Sequence, residues 1–170
     1  SKAKTWENNW KVKKRVKFVK IASIIVIGNE ILSGRTQDIN SNYLAKKLSS
    51  IGFLLREIRV IPDEKSKIIE VVRTEAKKAD FVFTSGGIGP THDDITADSI
   101  AEAFNLKIDV REDAINELAK NYPNGIKDLN SARLRMARVP EGSELIKNRI
   151  SGAPGFRVNN VYVMAGVPMI

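Results

Sequence analysis

The 170-residue chain has no cysteine, one histidine (His92) and no apolar run near the roughly 20 residues that carry a helix across a bilayer. Each absence removes a class of function. Without cysteine there are no disulfides, thiolate metal sites or cysteine nucleophiles, so any chemistry must come from carboxylates, hydroxyls, amides, Lys, Arg or His92. Without a long apolar segment or a secretory-type leader, the reading is a cytoplasmic domain with no membrane partner. Aromatics make up only 6%, but hydrophobic residues reach 42% and charged residues 28%, which is ordinary globular usage and argues against disorder. A chain of this length buries roughly 70% of its unfolded surface, enough for one core.

The net charge of +8 is concentrated at one end. Residues 1 to 20 hold eight basic side chains against the single acid Glu7, leaving a net +1 for the remainder. The segment 1–18, with Trp6 and Trp10, reads as a flexible basic extension, and 19–170 as one folded domain. A basic leader could touch nucleic acid, but a solvated extension explains it more simply, so nucleic acid is not expected as a partner.

The nearly continuous apolar run from Val16 to Ile27, stopped by Gly28, predicts a strand buried on both faces. A helix capped by Asp38 or Asn40 should run to about Ser50, followed by a strand over Phe53 to Ile61. Pro62-Asp63-Glu64 opens a second helix reaching Lys78, and Phe81-Val82-Phe83 gives a third strand. A helix from Asp94 to Phe104, a largely helical stretch over Arg111 to Arg138 and a late strand over Val161 to Met164 complete the pattern. Alternating strands and helices with short connections predict a three-layer α/β/α sandwich with a mostly parallel central sheet. The chain stops directly after Gly166-Val167-Pro168-Met169-Ile170, which leaves open that it is truncated at its C-terminus.

Open parallel sheets bind ligands beyond the carboxyl ends of their strands. There lies Thr84-Ser85-Gly86-Gly87-Ile88-Gly89-Pro90-Thr91, whose glycines allow main-chain amides to approach a phosphate and whose hydroxyls add donors. His92, Asp93, Asp94, Thr96 and Asp98 follow. One aspartate at a helix start is explained by capping, but three are not. Carboxylates beside a phosphate cradle would repel the ligand unless a divalent cation such as Mg²⁺ lay between them. Glu30, after the first strand, should face the same crevice, while Asp38 and Asn40 have helix capping as an equal alternative. His92 reads as a surface residue rather than a base.

These residues together resemble a known family. Gly28-Asn29-Glu30-Ile31-Leu32-Ser33-Gly34 with Asp38-Ile39-Asn40, the run from Thr84 to Asp98, Arg135-Met136-Ala137-Arg138-Val139-Pro140-Glu141-Gly142 and Ala153-Pro154-Gly155-Phe156 are similar to the molybdopterin-binding domain superfamily, nearest the CinA branch. By position, Gly86, Gly87, Gly89, Asp94, Thr96 and Asp98 match its Gly-Gly-x-Gly and Asp-x-Thr-x-Asp pattern, and Glu30 its first acidic loop. Asn29 departs from it, standing where the family usually has Asp.

The resemblance implies a nucleotide-like or pterin-like ligand, molybdopterin among them, and a homo-oligomer, dimer or trimer. For the CinA branch it implies metal-dependent hydrolysis of a nucleotide pyrophosphate such as ADP-ribose, with Mg²⁺ or Co²⁺. Asp93, Asp94 and Glu30 would be catalytic. Asp94, Asp98 and Glu30 would hold the metal. Thr84, Ser85, Gly86, Gly87, Gly89, Pro90, Thr91, Thr96 and Asp38 would contact the ligand. The alternatives are a non-catalytic pterin or nucleotide binding module and a molybdenum cofactor biosynthesis protein.

Overall fold

The computed structural model describes residues 19–148 and 153–166. The expected extension at 1–18 and the last motif residues, 167–170, lie outside them. Strand β1 (Ile21–Ile27) is buried along nearly its whole length, as its apolar run requires, and forms the spine of the sheet. It pairs in parallel with β2 (Leu54–Ile61) on one side and β3 (Phe81–Ser85) on the other. β3 pairs in parallel with β8 (Val161–Met164). Beyond β8 the sheet turns antiparallel through β7 (Gly155–Val158) and β6 (Glu144–Ile146), giving the order β2-β1-β3-β8-β7-β6. A separate antiparallel pair joins β4 (Ile108–Val110) to β5 (Arg138–Pro140). These last four strands, three or four residues each, were not expected from the sequence.

Two cores lie on the two sheet faces. The larger packs Ile25, Ile27, Val82 and Val163 against Ile68, Val71 and Val72 of α3 (Lys65–Lys78) and Ile100 of α4 (Thr96–Ala103). Ala114 and Leu118 of α5 (Glu112–Ala119) extend it. The smaller joins Ala22, Ile24 and Val26 to Leu48 of α2 (Asn40–Ser50), with Phe53, Phe81 and Phe83 beside them. Alternation along β1 sends successive residues to opposite layers, so the three-layer sandwich follows from the strand's own period.

The wholly buried Glu75 of α3 accepts from Arg56 and lies 3.7 Å from Arg59, both on β2. Burial pushes its carboxyl up, but hydrogen bonds from Ser23 and Arg56 and the charges of Arg56 and Arg59 outweigh this and hold it below the ordinary value. Among the described residues, no helix is long and apolar enough to cross a membrane.

Candidate functional site: a crevice at the glycine loop

The carboxyl ends of β1, β2 and β3 open on one edge, each followed by a turn into a helix. After β1, the one-turn helix α1 (Asn29–Leu32) carries Glu30. After β2 comes Asp63, whose sequence context, Pro62-Asp63-Glu64, marks only a helix start. Asn29 and Asp63 clasp each other: the Asn29 amide donates to Asp63 Oδ2 at 2.9 Å, and the Asp63 amide donates to Asn29 Oδ1 at 3.2 Å. The departure from the family pattern at Asn29 thus keeps an acceptor for this clasp while adding no charge beside Asp63.

The glycine loop needs glycine at two positions for steric reasons. Gly86 has φ 101°, and a Cβ there would lie 2.1 Å from the Ile27 carbonyl oxygen. Gly87 has φ 72°, and its Cβ would lie 2.1 Å from Thr96 Oγ1 and 3.5 Å from Asp63 Oδ1. The loop is therefore pressed against β1 on one side and faces the Asp63 carboxylate on the other. Thr96, wholly buried, pins it: its hydroxyl donates to the Gly86 carbonyl at 3.0 Å and its amide to the Gly87 carbonyl at 3.0 Å.

Several expected site residues have other occupations. Asp94 does not cap α4; its Oδ2 accepts from the Thr91 amide and hydroxyl, both at 2.8 Å, and so closes the loop tip. Asp98 is held by a two-pronged contact from Arg138, at 2.8 and 3.0 Å. Both its oxygens face a guanidinium. Thr84 is wholly buried, and its hydroxyl has no hydrogen-bond partner among the described residues. Thr96 is committed to the loop rather than to the crevice.

Asp38 accepts from the Ser41 amide at 3.1 Å and from the Ser41 hydroxyl, which is the capping alternative. It also lines a pocket of about 50 Å³ with Glu30, Thr36, Gln37, Ser85 and Gly86. Pro90, Thr91, His92 and Asp93 form the exposed loop tip, where His92 Nε2 and Asp93 Oδ1 are 3.2 Å apart and 90% and 80% exposed. His92 is thus a surface residue, as expected.

The electrostatics converge on Asp63. Burial raises its carboxyl pKa above the ordinary value, the Asn29 amide opposes this, and the charges of Glu30, Asp94 and Asp93 raise it further. The crevice therefore carries a negative field, and its donors are hard oxygens of the kind Mg²⁺ prefers. Among the described residues no three acidic or imidazole groups stand close enough to hold a metal unaided. A cation here would need oxygen ligands beyond these side chains.

The fold and crevice define an open α/β protein whose candidate site sits where three strand ends and a glycine loop meet. More particularly, residues 23–170 match the family model described as "probable molybdopterin binding domain", and the chain belongs to that family. A protein of Archaeoglobus fulgidus is 46% identical over 145 residues, covering 85% of this chain and 61% of its own length. One from Metallosphaera sedula is 40% identical over 152 residues, covering 86% and 57%. The chain thus spans about three fifths of the length of these relatives.

Among solved structures, CinA from Thermoplasma acidophilum aligns with a TM-score of 0.80 at 36% identity, covering 88% of this chain and 90% of that one. This supports the CinA branch. The molybdopterin biosynthesis enzyme MoaB from Thermus thermophilus, with a TM-score of 0.56 at 18% identity over 88% and 83%, shares the fold.

Proposed function

We propose that the crevice binds a nucleotide-like molecule through its phosphates and, with a divalent cation such as Mg²⁺ or Co²⁺, hydrolyses a pyrophosphate of the ADP-ribose kind. The observation that carries this reading is the set of carboxylates of Glu30, Asp63, Asp93 and Asp94 around one glycine loop, close enough to raise the pKa of Asp63. Such a field repels a naked phosphate and accepts a phosphate that arrives with a cation. The residues that would hold the cation are Glu30 and Asp94, together with ligand oxygens; when bound, it would neutralise phosphate charge. The loop amides orient the phosphate.

Water adds to one phosphorus, the bridging P–O bond breaks, and AMP and ribose 5-phosphate leave. The proton lost by the water goes to a crevice carboxylate. Asp63 is suited to take it, because its raised pKa makes it a stronger base than an ordinary aspartate, and its clasp with Asn29 fixes its orientation. We also propose that the chain self-associates.

Incubation with ADP-ribose and Mg²⁺ or Co²⁺, following AMP, tests the reading: release in the intact protein and its loss in Asp94→Ala support it. Tight binding of ADP-ribose or a pterin without turnover would favour the second reading, a non-catalytic binding module, which the family description "molybdopterin binding" supports.

A further inference from the structure

Close to the acids of the crevice stands a cation with no counter-charge. Arg135 opens a single 3₁₀ turn, Arg135–Ala137, after the short helix Ser131–Leu134. It is half-buried, and its Nε is shielded from solvent without an acceptor. Among the described residues its guanidinium makes no hydrogen bond and no ion pair. Its neighbours are engaged: Arg133 donates to the Asp128 carbonyl at 2.7 Å, and Arg138 to Asp98. A shielded nitrogen of this kind costs stability, because burial strips water from a charged donor and nothing replaces it.

The backbone nevertheless fixes Arg135 relative to the glycine loop. Met136 packs against the larger core, Ala137 is wholly buried, and the Ala137 carbonyl accepts from the Arg111 amide at 3.1 Å. Arg138 ties the same segment to Asp98 on α4, whose first residue, Thr96, pins the loop.

Arg135 lines a cavity of about 20 Å³ with Ile88 and Gly89 of the loop, Asp94 and Asp98. That is room for one water-sized group. The two carboxylates are already engaged, Asp94 by Thr91 and Asp98 by Arg138. The main-chain amides of Ile88 and Gly89, in contrast, find no acceptor among the described residues. What remains is one guanidinium and two amides, donors that suit an anionic oxygen, and the planar arginine fork matches a phosphate. A Cβ at Gly89 would lie 2.8 Å from Asp94 Oδ2, and one at Gly87 3.5 Å from Asp63 Oδ1, so the cavity adjoins the crevice along one loop.

We propose that Arg135 and the amides of Ile88 and Gly89 form an oxyanion subsite beside the crevice, which takes one phosphate oxygen of the ligand. Arg135 supplies a fixed positive charge where the crevice acids need a mobile cation. The inference rests on the phosphate-binding part of the reading above and not on turnover.

Inorganic phosphate and AMP, each with Mg²⁺, are the probes, titrated calorimetrically into the 170-residue chain. Arg135→Met keeps the apolar stem and removes the guanidinium. It should weaken both probes by roughly tenfold or more, the worth of a hydrogen bond to a charged group. Its Tm without phosphate should equal or exceed that of wild type, because the unsatisfied donor is gone. Arg135→Lys keeps a charge without the fork and should fall between the two in affinity.

No binding of either probe by the wild type, or equal affinity in wild type and Arg135→Met, overturns the proposal. Weakening of one probe alone overturns it as well: phosphate alone would mark a free-anion site, AMP alone a contact to the nucleoside. A lower Tm together with lost binding would mean that the arginine holds the loop rather than the phosphate, and also overturns it. Should Arg135→Met not fold, Arg135→Lys decides, and unchanged affinity for both probes then refutes the subsite. ADP-ribose left intact while both probes depend on Arg135 would sink the hydrolysis and leave the subsite standing.

Discussion

Replacing Gly87 with alanine tests whether the loop owes its shape to Thr96, and the structure fixes the sizes involved. Alanine at φ 72° costs about 1 kcal/mol for the left-handed conformation alone. Its Cβ would also begin 2.1 Å from Thr96 Oγ1, so the hydroxyl must leave the Gly86 carbonyl, losing a hydrogen bond for about 1 to 2 kcal/mol more. Gly87→Ala should therefore destabilise by roughly 3 kcal/mol, which for a chain of this size lowers Tm by roughly 6 to 12 °C.

Thr96→Ala loses the same hydrogen bond together with a buried methyl group, for roughly 2 kcal/mol. In the double variant the clash is gone and the hydrogen bond can be lost only once, so the total should be roughly 3 kcal/mol rather than the additive value of about 5. Urea unfolding of all four proteins measures this coupling of roughly 2 kcal/mol. Additive effects would refute the idea that the two residues act as one unit.

Two further outcomes concern the crevice and its surroundings, and a third the buried Glu75. Asp63→Asn keeps an acceptor for the Asn29 amide and removes a repelled charge, so its Tm at neutral pH should exceed that of the wild type while hydrolysis is lost. The folded pKa of Asp63 lies above its unfolded value, so the penalty exists at neutral pH and disappears as pH falls through the folded value and below the unfolded one. Scanning calorimetry should show the gap between the two proteins closing in acid.

For Asp98→Asn, which weakens the contact with Arg138, Tm should fall while Mg²⁺ affinity in the presence of nucleotide, read by calorimetric titration, stays within about twofold of wild type. A tenfold loss of Mg²⁺ affinity would place Asp98 in the metal set. Glu75→Gln should destabilise by about 3 kcal/mol in thermal unfolding, because Arg56 and Arg59 lose their buried counter-charge.

The parallel half of the sheet was legible because its strands are apolar runs and its helices begin and end on recognisable residues. β1, β2 and β3 fall within one or two residues of their expected positions over the described range. The antiparallel half was not, since β6 and β7 are too short for a periodic signal and are defined by their pairing: Phe156 faces Val163 and Leu145 faces Phe156 across the ladder.

In the crevice, the glycine loop could be found from composition, but the division of labour among its acids could not. Asp94, Asp98 and Asp63 look alike in sequence; one closes a turn, one binds Arg138 and one is clasped by Asn29, and only distances separate them. Asp63 carries no distinct signal in the sequence, because Pro62-Asp63-Glu64 is also what a helix start looks like.

The central claim is that carboxylates facing the glycine loop act on a pyrophosphate. Phosphorus NMR of ADP-ribose incubated with the wild-type chain and with Asp63→Asn, each with and without Mg²⁺, tests it most directly. The account predicts that pyrophosphate signals give way to two phosphomonoester signals only with the wild-type chain and the cation. Pyrophosphate signals unchanged with Mg²⁺ and with Co²⁺, or turnover by Asp63→Asn at the wild-type rate, would contradict it.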